Sequence, residues 1–358
     1  MKALAYCAGV SLLILTGACS QQGATGLPTK SVQASIETVN VAGTGDAADD
    51  PAVWLAPNPQ DSLILGTDKT NGLYAYNLDG SVHAFLPVGR VNNVDVRTGF
   101  MAGEREVALA AASDRTNIAI ATFFIDAQSR EISQAPGGVL PFTNVEDPYG
   151  FCLYHDQAHD AFYAFTSDSD AGVFIQTRLS FDGETMQGQE IRRINVGSKS
   201  EGCAVDDRTG LLYIAEEEVG LWRYSAAPEA NEDRILIAPT DGQHLTADIE
   251  GVAIMETGET GGWLFVSSQG DDAYAVFDLE TGAFIDRFRV TEGVVDATSY
   301  TDGIEVFAHP LGPDYPEGVF LAQDDEDNQG GQNFKLVDLR AIKTALSAQD
   351  SDQAGDAH

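Results

Sequence analysis

The chain reads as an all-β, six-bladed β-propeller with a central channel, its N-terminal strand closing the last blade. Three observations predict this. First, between Val32 and Asp338 almost nothing has helical period, and short runs rich in Val, Ile, Phe and Tyr alternate with Gly, Asp and Asn turns. Second, six segments share one pattern, a polar residue, then usually a glycine, then a short apolar strand. They are Asp50-Pro51-Ala52-Val53-Trp54, Asn93-Val94-Asp95-Val96, Tyr149-Gly150-Phe151-Cys152-Leu153, Glu201-Gly202-Cys203-Ala204-Val205, Glu250-Gly251-Val252-Ala253-Ile254 and Asp302-Gly303-Ile304-Glu305-Val306. They begin at intervals of 43, 56, 52, 49 and 52 residues. Third, a second strand follows each start and ends in polar groups, as in Thr67-Asp68-Lys69, Ser113-Asp114-Arg115, Ser167-Asp168, Glu216-Glu217-Glu218, Ser267-Ser268-Gln269 and Gln323-Asp324-Asp325. With third strands such as Gly72-Leu73-Tyr74-Ala75-Tyr76 and a fourth in several units, each unit of roughly 50 residues holds about four strands, a propeller blade.

In chain order, Met1-Lys2 gives a positive start and Ala3 to Leu15 an apolar run too short to span a bilayer comfortably. Leu15-Thr16-Gly17-Ala18-Cys19 resembles a bacterial lipobox, with the leucine one place further from the cysteine than usual. Residues 1–18 are therefore expected to be a lipoprotein signal peptide, with Cys19 lipidated after cleavage. Residues 19–31 are Gln/Gly/Thr-rich and read as a tether. The protein is thus expected to be exported, as a bacterial outer-membrane lipoprotein or in secreted or periplasmic form, touching membrane only through that anchor. Residues 32–346 form the propeller, in which the orphan strand-like stretch Ile36 to Val41 supplies the outer strand of the last blade and closes the ring. Residues 347–358 are polar and acidic, and a disordered tail is expected. Cys7 leaves with the signal, while Cys152 and Cys203 remain and could pair; two buried thiols on separate strands are the favoured expectation.

The chain has 20 Lys+Arg against 55 Asp+Glu, a net charge of -35, yet 43% hydrophobic residues, enough for a sizeable core. Such acidity argues against binding nucleic acid, whose phosphates recruit basic residues. In a propeller, the first strand of every blade lines the channel, so equivalent positions converge at one mouth. The unit starts bring Asp49, Asp50, Asn93, Asp95, Tyr149, Glu201, Glu250 and Asp302. The ends of the second strands add Lys69, Arg115, Glu216, Glu217, Gln269, Asp324 and Glu326. Crowded carboxylates repel unless they are protonated or neutralised. Oxygen-rich ligands favour a hard cation, so several Ca2+ ions are expected. The bland alternative is a solvated acidic surface. Lys69 and Arg115 occupy matching places in consecutive blades and suit an anionic substrate, phosphate foremost. Each could instead simply pair with a neighbouring acid.

Asp46-Ala47-Ala48-Asp49-Asp50-Pro51-Ala52-Val53-Trp54 and Asn92-Asn93-Val94-Asp95-Val96-Arg97 resemble the signature motifs of the β-propeller phytases. The resemblance extends through Tyr149-Gly150-Phe151, Glu216-Glu217, Asp248-Ile249-Glu250-Gly251, Ser267-Ser268-Gln269-Gly270, Thr301-Asp302-Gly303 and Asn333-Phe334-Lys335. It implies a calcium-dependent 3-phytase-type phosphatase that releases phosphate from myo-inositol hexakisphosphate, preferably as its calcium complex. It places Asp49, Asp50, Glu201, Glu217, Asp248, Glu250 and Gln269 as calcium ligands or groups at the reaction centre. Asn93, Asp95, Asp296, Asp324 and Glu326 match ligands of structural or channel ions. Lys69, Arg115 and Tyr149 match phosphate-binding residues, and Asp302 an acid beside the cleaved phosphate. Metal-activated water is the expected nucleophile, with Glu217, Asp302, Lys69, Arg115 and Tyr149 as the catalytic group. The chain departs from the family pattern twice: Thr166-Ser167-Asp168-Ser169-Asp170 lacks the lysine common after the second strand of blade three, and Thr70 follows Lys69 where a second lysine is common. A monomer is expected. The competing readings are a calcium-propeller lactonase or esterase and a lipid-anchored binding propeller without turnover.

Overall fold

The computed structural model describes residues 26–169, 171–328 and 330–348. The expected signal peptide, Cys19 and nearly all of the acidic tail lie outside the described residues. Among those described, the strands form six sheets, four built wholly from consecutive strands and two that each also take one strand from the N-terminal segment. Blade 1 comprises Ala48–Trp54, Leu63–Asp68, Gly72–Asn77 and Val82–Leu86. Blade 2 comprises Val91–Ala102, Arg105–Asp114, Ala119–Ile125 and Ile132–Pro141. Blade 3 comprises Pro148–Asp156, Ala161–Asp168, Val173–Phe181 and Met186–Asn195. Blade 4 comprises Ser200–Asp206, Leu211–Glu216, Gly220–Ser225 and Ile235–Pro239. Blade 5 holds Ile249–Thr257, Gly261–Ser268, Ala273–Asp278 and Phe284–Thr291, and blade 6 holds Ile304–Phe307, Val319–Asp324 and Asn333–Asp338.

Burial grades outward across each blade. In blade 3 the second strand is buried along its whole length, while the fourth strand exposes half of its residues and buries only two. The core is correspondingly divided. Six apolar clusters each lie between two consecutive blades, such as Trp54, Leu65 and Ala75 against Val94, Ala110 and Phe123 between blades 1 and 2. The cluster between blades 6 and 1 sets Phe334 and Leu336 against Ile64 and Tyr76. An isolated blade would expose both apolar faces, so stability belongs to the closed ring.

Closure occurs as expected: Ile36–Glu37 pairs antiparallel with Asn333–Asp338, Ile36 opposite Leu336. The chain makes a second attachment that the sequence reading did not anticipate. Lys30–Gln33 runs parallel to Phe284–Thr291 as a fifth strand of blade 5, and the Leu27 amide donates to the Gln243 carbonyl at 2.9 Å. Part of the expected tether is thus engaged with the propeller. At the other end, Leu339–Ser347 forms a helix capped by Asp338, whose side chain accepts from the Arg340 amide. Its Leu339 and Ile342 pack into the core between blades 5 and 6. No described helix is long and apolar enough to cross a membrane.

The favoured expectation for the cysteines is corrected. Cys152 and Cys203 form a disulfide, with Cα atoms 5.7 Å apart. They occupy equivalent positions on the innermost strands of blades 3 and 4, which lie side by side around the channel, so one repeat of spacing brings the two thiols together.

Candidate functional site

One backbone device repeats around the channel mouth. Near its start, the innermost strand of blades 1 to 5 slips register against the second strand, between Ala48 and Pro51, Val91 and Val94, Pro148 and Phe151, Ser200 and Cys203, and Ile249 and Val252. Such a bulge re-aims side chains and leaves an amide without its ladder partner. The residues inside the slips are Asp49-Asp50, Asn92-Asn93, Tyr149-Gly150, Glu201-Gly202 and Glu250-Gly251, the polar starts of the sequence repeat. The hydroxyl groups near the ends of the second strands satisfy the loosened backbone. The Asp50 amide donates to Thr67 Oγ1 at 2.9 Å and the Gly150 amide to Ser167 Oγ at 2.7 Å. The Asp302 amide finds Gln323 Oε1 at 2.8 Å in the same way. The repeated glycine has an equally physical reason. A Cβ on Gly150 would stand 1.9 Å from the Glu201 carbonyl oxygen, and one on Gly202 would stand 2.0 Å from that of Glu250. The next blade's backbone passes too close for any other residue.

The re-aimed acids form a buried cluster. Asp49, Glu201, Glu217 and Glu250 are buried, and oxygens of Glu201, Glu217 and Glu250 all lie within 4.8 Å of one another. Asn92, fully buried, ties the cluster together: its amide nitrogen donates to Asp49 Oδ2 at 2.7 Å and Glu201 Oε1 at 2.8 Å. With its amide nitrogen facing inward, Asn93 reaches Glu201 Oε1 at 3.1 Å. Burial and the charge of Glu201 push the Asp49 carboxyl up to about 7 against the opposing pull of Lys69. Burial and Asp49 push Asp302 up to about 7 as well. Glu250 is held well above the carboxylate range by burial and by Glu201, Glu217 and Asp302. Asp248 is half-buried near Glu217, and its charge adds to burial in raising that carboxyl.

Basic and polar groups rim this cluster. Lys69 Nζ lies 3.1 Å from Asp49 Oδ1 and 2.9 Å from Asp302 Oδ2, and pairs also with Asp46. Burial disfavours its charge, yet Asp49 and Asp302 more than compensate and hold it protonated. Gln269 Nε2 donates to the other oxygen of Asp302. Arg115 forks onto Asp147 with two bonds of 2.8 Å, donates to Asn92 Oδ1 at 3.0 Å, and lies over the Tyr149 ring. Lys199 approaches that ring from another direction, its Nζ 4.7 Å from the centroid. Burial, with Glu201 and Glu250 nearby, keeps the Tyr149 hydroxyl strongly protonated.

The residues fit a hard cation. Glu250 Oε2 is a buried oxygen without a partner, Asp49 Oδ1 and Glu217 Oε1 each face only an ammonium at 3.1 Å, that of Lys69 and that of Lys199, and every ligand atom the acids offer is oxygen. The remaining expected ligands lie elsewhere. Asp50 accepts from the Val94 amide at 3.0 Å and borders a channel cavity of about 600 Å³ beneath the cluster. Asp95 lies on the wall of that cavity, 2.6 Å from Arg97, which also pairs with Asp207. Asp296 and Asp324 flank Lys335, which is fully buried and pairs with Glu37 too. Oxygens of Glu37, Asp296 and Asp327 gather within 4.8 Å, away from the mouth. Glu326 is exposed, and its neighbour Asp327 takes the inward place. Glu216 turns from the cluster to Ser198 Oγ and Trp222 Nε1.

Sequence reasoning missed Asn92, Asp147 and Lys199 as members of the site, and Glu37 and Asp327 in the second acidic group. Asn92 had a signal, standing in the same bulge as Asn93. Asp147 and Lys199 sit in the loops ahead of their inner strands, outside the phase of the repeat.

A protein-family model described as Phytase matches residues 2–356. The chain is 37% identical over 326 residues to the 3-phytase of Bacillus subtilis (strain 168), covering 88% of this chain and 85% of that protein. Among solved structures, the PQQ-bound aldose sugar dehydrogenase from Streptomyces coelicolor superposes with a TM-score of 0.51 at 13% identity, covering 87% of this chain and 99% of that one. At that identity the likeness concerns the fold alone.

Proposed function

The chain belongs to the phytase family, and from that premise we propose that it is a calcium-dependent phosphomonoesterase releasing inorganic phosphate from myo-inositol hexakisphosphate. As a phosphatase it needs neither the lactonase nor the non-catalytic reading. The observation that carries the proposal is the buried cluster of Asp49, Glu201, Glu217 and Glu250, with the partnerless Glu250 Oε2, set beside Lys69 and Arg115.

Asp49, Glu201, Glu217, Asp248, Glu250 and Gln269 would hold calcium around the reacting phosphate, and Asp50 would hold an ion from the channel side beneath them. Asn93 would assist from the cluster's edge. Asp95 is the weakest member of the ligand set, since Arg97 already occupies it. Asp296 and Asp324, with Asp327 better placed than Glu326, would hold ions that support the fold. Bound calcium supplies positive charge against an incoming polyanion and acidifies a water for attack on phosphorus.

The chain's own residues orient the phosphate. Lys69 is charged, buried and immobilised between Asp49 and Asp302, so its ammonium is fixed before substrate arrives. Arg115, anchored by Asp147, keeps guanidinium N–H groups available for an equatorial oxygen. The protonated Tyr149 hydroxyl can donate to another. Asp302, between Lys69 and Gln269, is placed to hold a proton for the leaving oxygen. The test is phosphate release from phytate across a calcium titration. The expected rate rises with calcium from a negligible baseline and disappears on chelation; full activity in excess chelator would overturn the metal role.

The proposal extends to export, with residues 1–18 removed and Cys19 lipidated. The Cys152–Cys203 disulfide supports it, because such bonds persist in oxidising compartments. The mass of the mature N-terminal peptide checks it; an unmodified Met1 terminus on protein from the native host would rule it out.

A further inference from the structure

We propose that residues 26–33 and Arg287 together brace the two loops that carry Gln269 and Asp248, so that the channel mouth is fully ordered only while this N-terminal segment is docked on blade 5. The inference rests on the reading of Gln269 and Asp248 as site residues. The bracing groups lie outside the acid cluster and act through those two residues, as positioning residues. Arg287 is the hub. It stands on the fourth strand of blade 5, yet its side chain is fully buried. Nη2 donates to both oxygens of Asp271, at 2.6 and 2.7 Å. Nη1 donates to the Gln243 carbonyl at 3.0 Å and to the Leu27 carbonyl at 3.3 Å. The Leu27 amide donates to the same Gln243 carbonyl at 2.9 Å. Three stretches distant in sequence thus meet on one guanidinium: the N-terminal segment, the loop entering blade 5 and the turn after that blade's second strand. A buried charge needs such partners.

From the hub the bonds run to the site. Ser268 Oγ donates to Asp271 Oδ1 at 2.8 Å and accepts from the Thr246 amide at 2.8 Å. The Gln269 amide donates to the Asp248 carbonyl at 3.0 Å. The loop and the turn are therefore laced together. Gln269 stands between Ser268 and Asp271 in the chain, and its side chain donates to Asp302. The other end of the segment is secured independently. Lys30–Gln33 pairs with Phe284–Thr291, and Val32 is buried in the core between blades 5 and 6. Residues 26–33 thus form a strut, held at one end by strand pairing and at the other by Arg287.

Gly26 leaves the strut no slack. A Cβ there would stand 1.9 Å from Arg287 Nη1 and 2.4 Å from Asp271 Oδ2. With a side chain at this position, either Arg287 is pushed off Asp271 or the segment lifts and takes the Leu27 carbonyl with it. Both release the brace while leaving the acid cluster untouched.

The test uses Gly26→Val in the full chain, because Arg287→Ala would strand the buried Asp271 carboxylate and endanger folding. Gln33→Ala is the control: it removes the bond to the Glu292 carbonyl, 3.0 Å, at the opposite end of the same segment. Hydrogen exchange read by mass spectrometry in excess chelator follows residues 243–248 and 268–272, and calorimetry follows calcium affinity. In Gly26→Val, exchange in both stretches is expected to quicken by about tenfold while the inner strands keep the parent's protection. Calcium is expected to bind about tenfold more weakly, as when a partner behind a metal ligand is lost. Gln33→Ala is expected to match the parent in both. Parent-like exchange in Gly26→Val would overturn the brace. Quickened exchange with the parent's calcium affinity would overturn its consequence for the site and leave the segment a strand that merely extends blade 5. Exchange quickened throughout the propeller would also overturn it, since Gly26 would then govern global stability. If the parent binds no calcium, the metal reading fails by itself, and the exchange pattern alone decides whether the segment braces the two loops.

Discussion

Asp49 and Asp302 show what each acid at the mouth costs the metal-free fold. Both share Lys69, and both are pushed from the ordinary value of 3.8 up to about 7, chiefly by burial. A carboxyl raised in the folded state keeps a proton that the unfolded chain has already lost, so its stabilising share is complete below about 4 and gone above about 7. In excess chelator, Tm should therefore fall as pH rises from about 4 to about 7. Saturating calcium should flatten that slope, since the ligands are then ionised and neutralised by the metal. Scanning calorimetry at fixed ionic strength would settle it, and a chelated protein whose Tm climbs across the same interval would contradict the burial argument. Not every acid in the repeat belongs to this group. Asp68 and Asp114 bond to the amides of the turns that follow them, so their neighbours Lys69 and Arg115 occupy the rim.

The bulged start of the inner strand explains why the site was readable in outline. A polar residue followed by glycine announces both the re-aimed side chain and the close passage of the next blade, and so Asp49, Glu201 and Glu250 were legible from spacing. Asn92 was less so, because nothing in the string tells which residue of a bulge points inward. Lys30–Gln33 escaped notice because Lys-Ser-Val-Gln is short and carries no alternation of its own; its pairing is set by blade 5. The helix Leu339–Ser347 follows the last blade, beyond the stretch in which the strand pattern prevails. The cysteine pair was ambiguous because two thiols one repeat apart sit side by side whether or not they are joined. Its effect is measurable. Closing a loop across 51 residues of sequence separation restricts the unfolded chain, so Cys152→Ser with Cys203→Ser should lose about 2–4 kcal/mol of stability. Denaturant melts would report this, and an unchanged midpoint would show the bond to be energetically idle. The proposed calcium dependence should persist in the double variant, since both cysteines belong to the apolar cluster between blades 3 and 4.

At the scale of the whole molecule, a chain of net charge -35 is asked to receive a polyanion. Long-range repulsion opposes the encounter until cations collect at the mouth. Charge and fold would thus pull together under the proposed function: ions that admit the substrate would also relieve the crowding of Asp49, Glu201, Glu217 and Glu250. The ring is also fastened on two flanks. Ile36–Glu37 joins the first part of the chain to blade 6, and the sulfur bridge joins blade 3 to blade 4. The exposed hairpin Asp182–Thr185 lies between the two cysteines in sequence. A protease that nicked it would produce two pieces, each still hooked to its counterpart at both ends of the break, once by β-pairing and once covalently. Such scission would go unnoticed on a denaturing gel until a reductant released the halves.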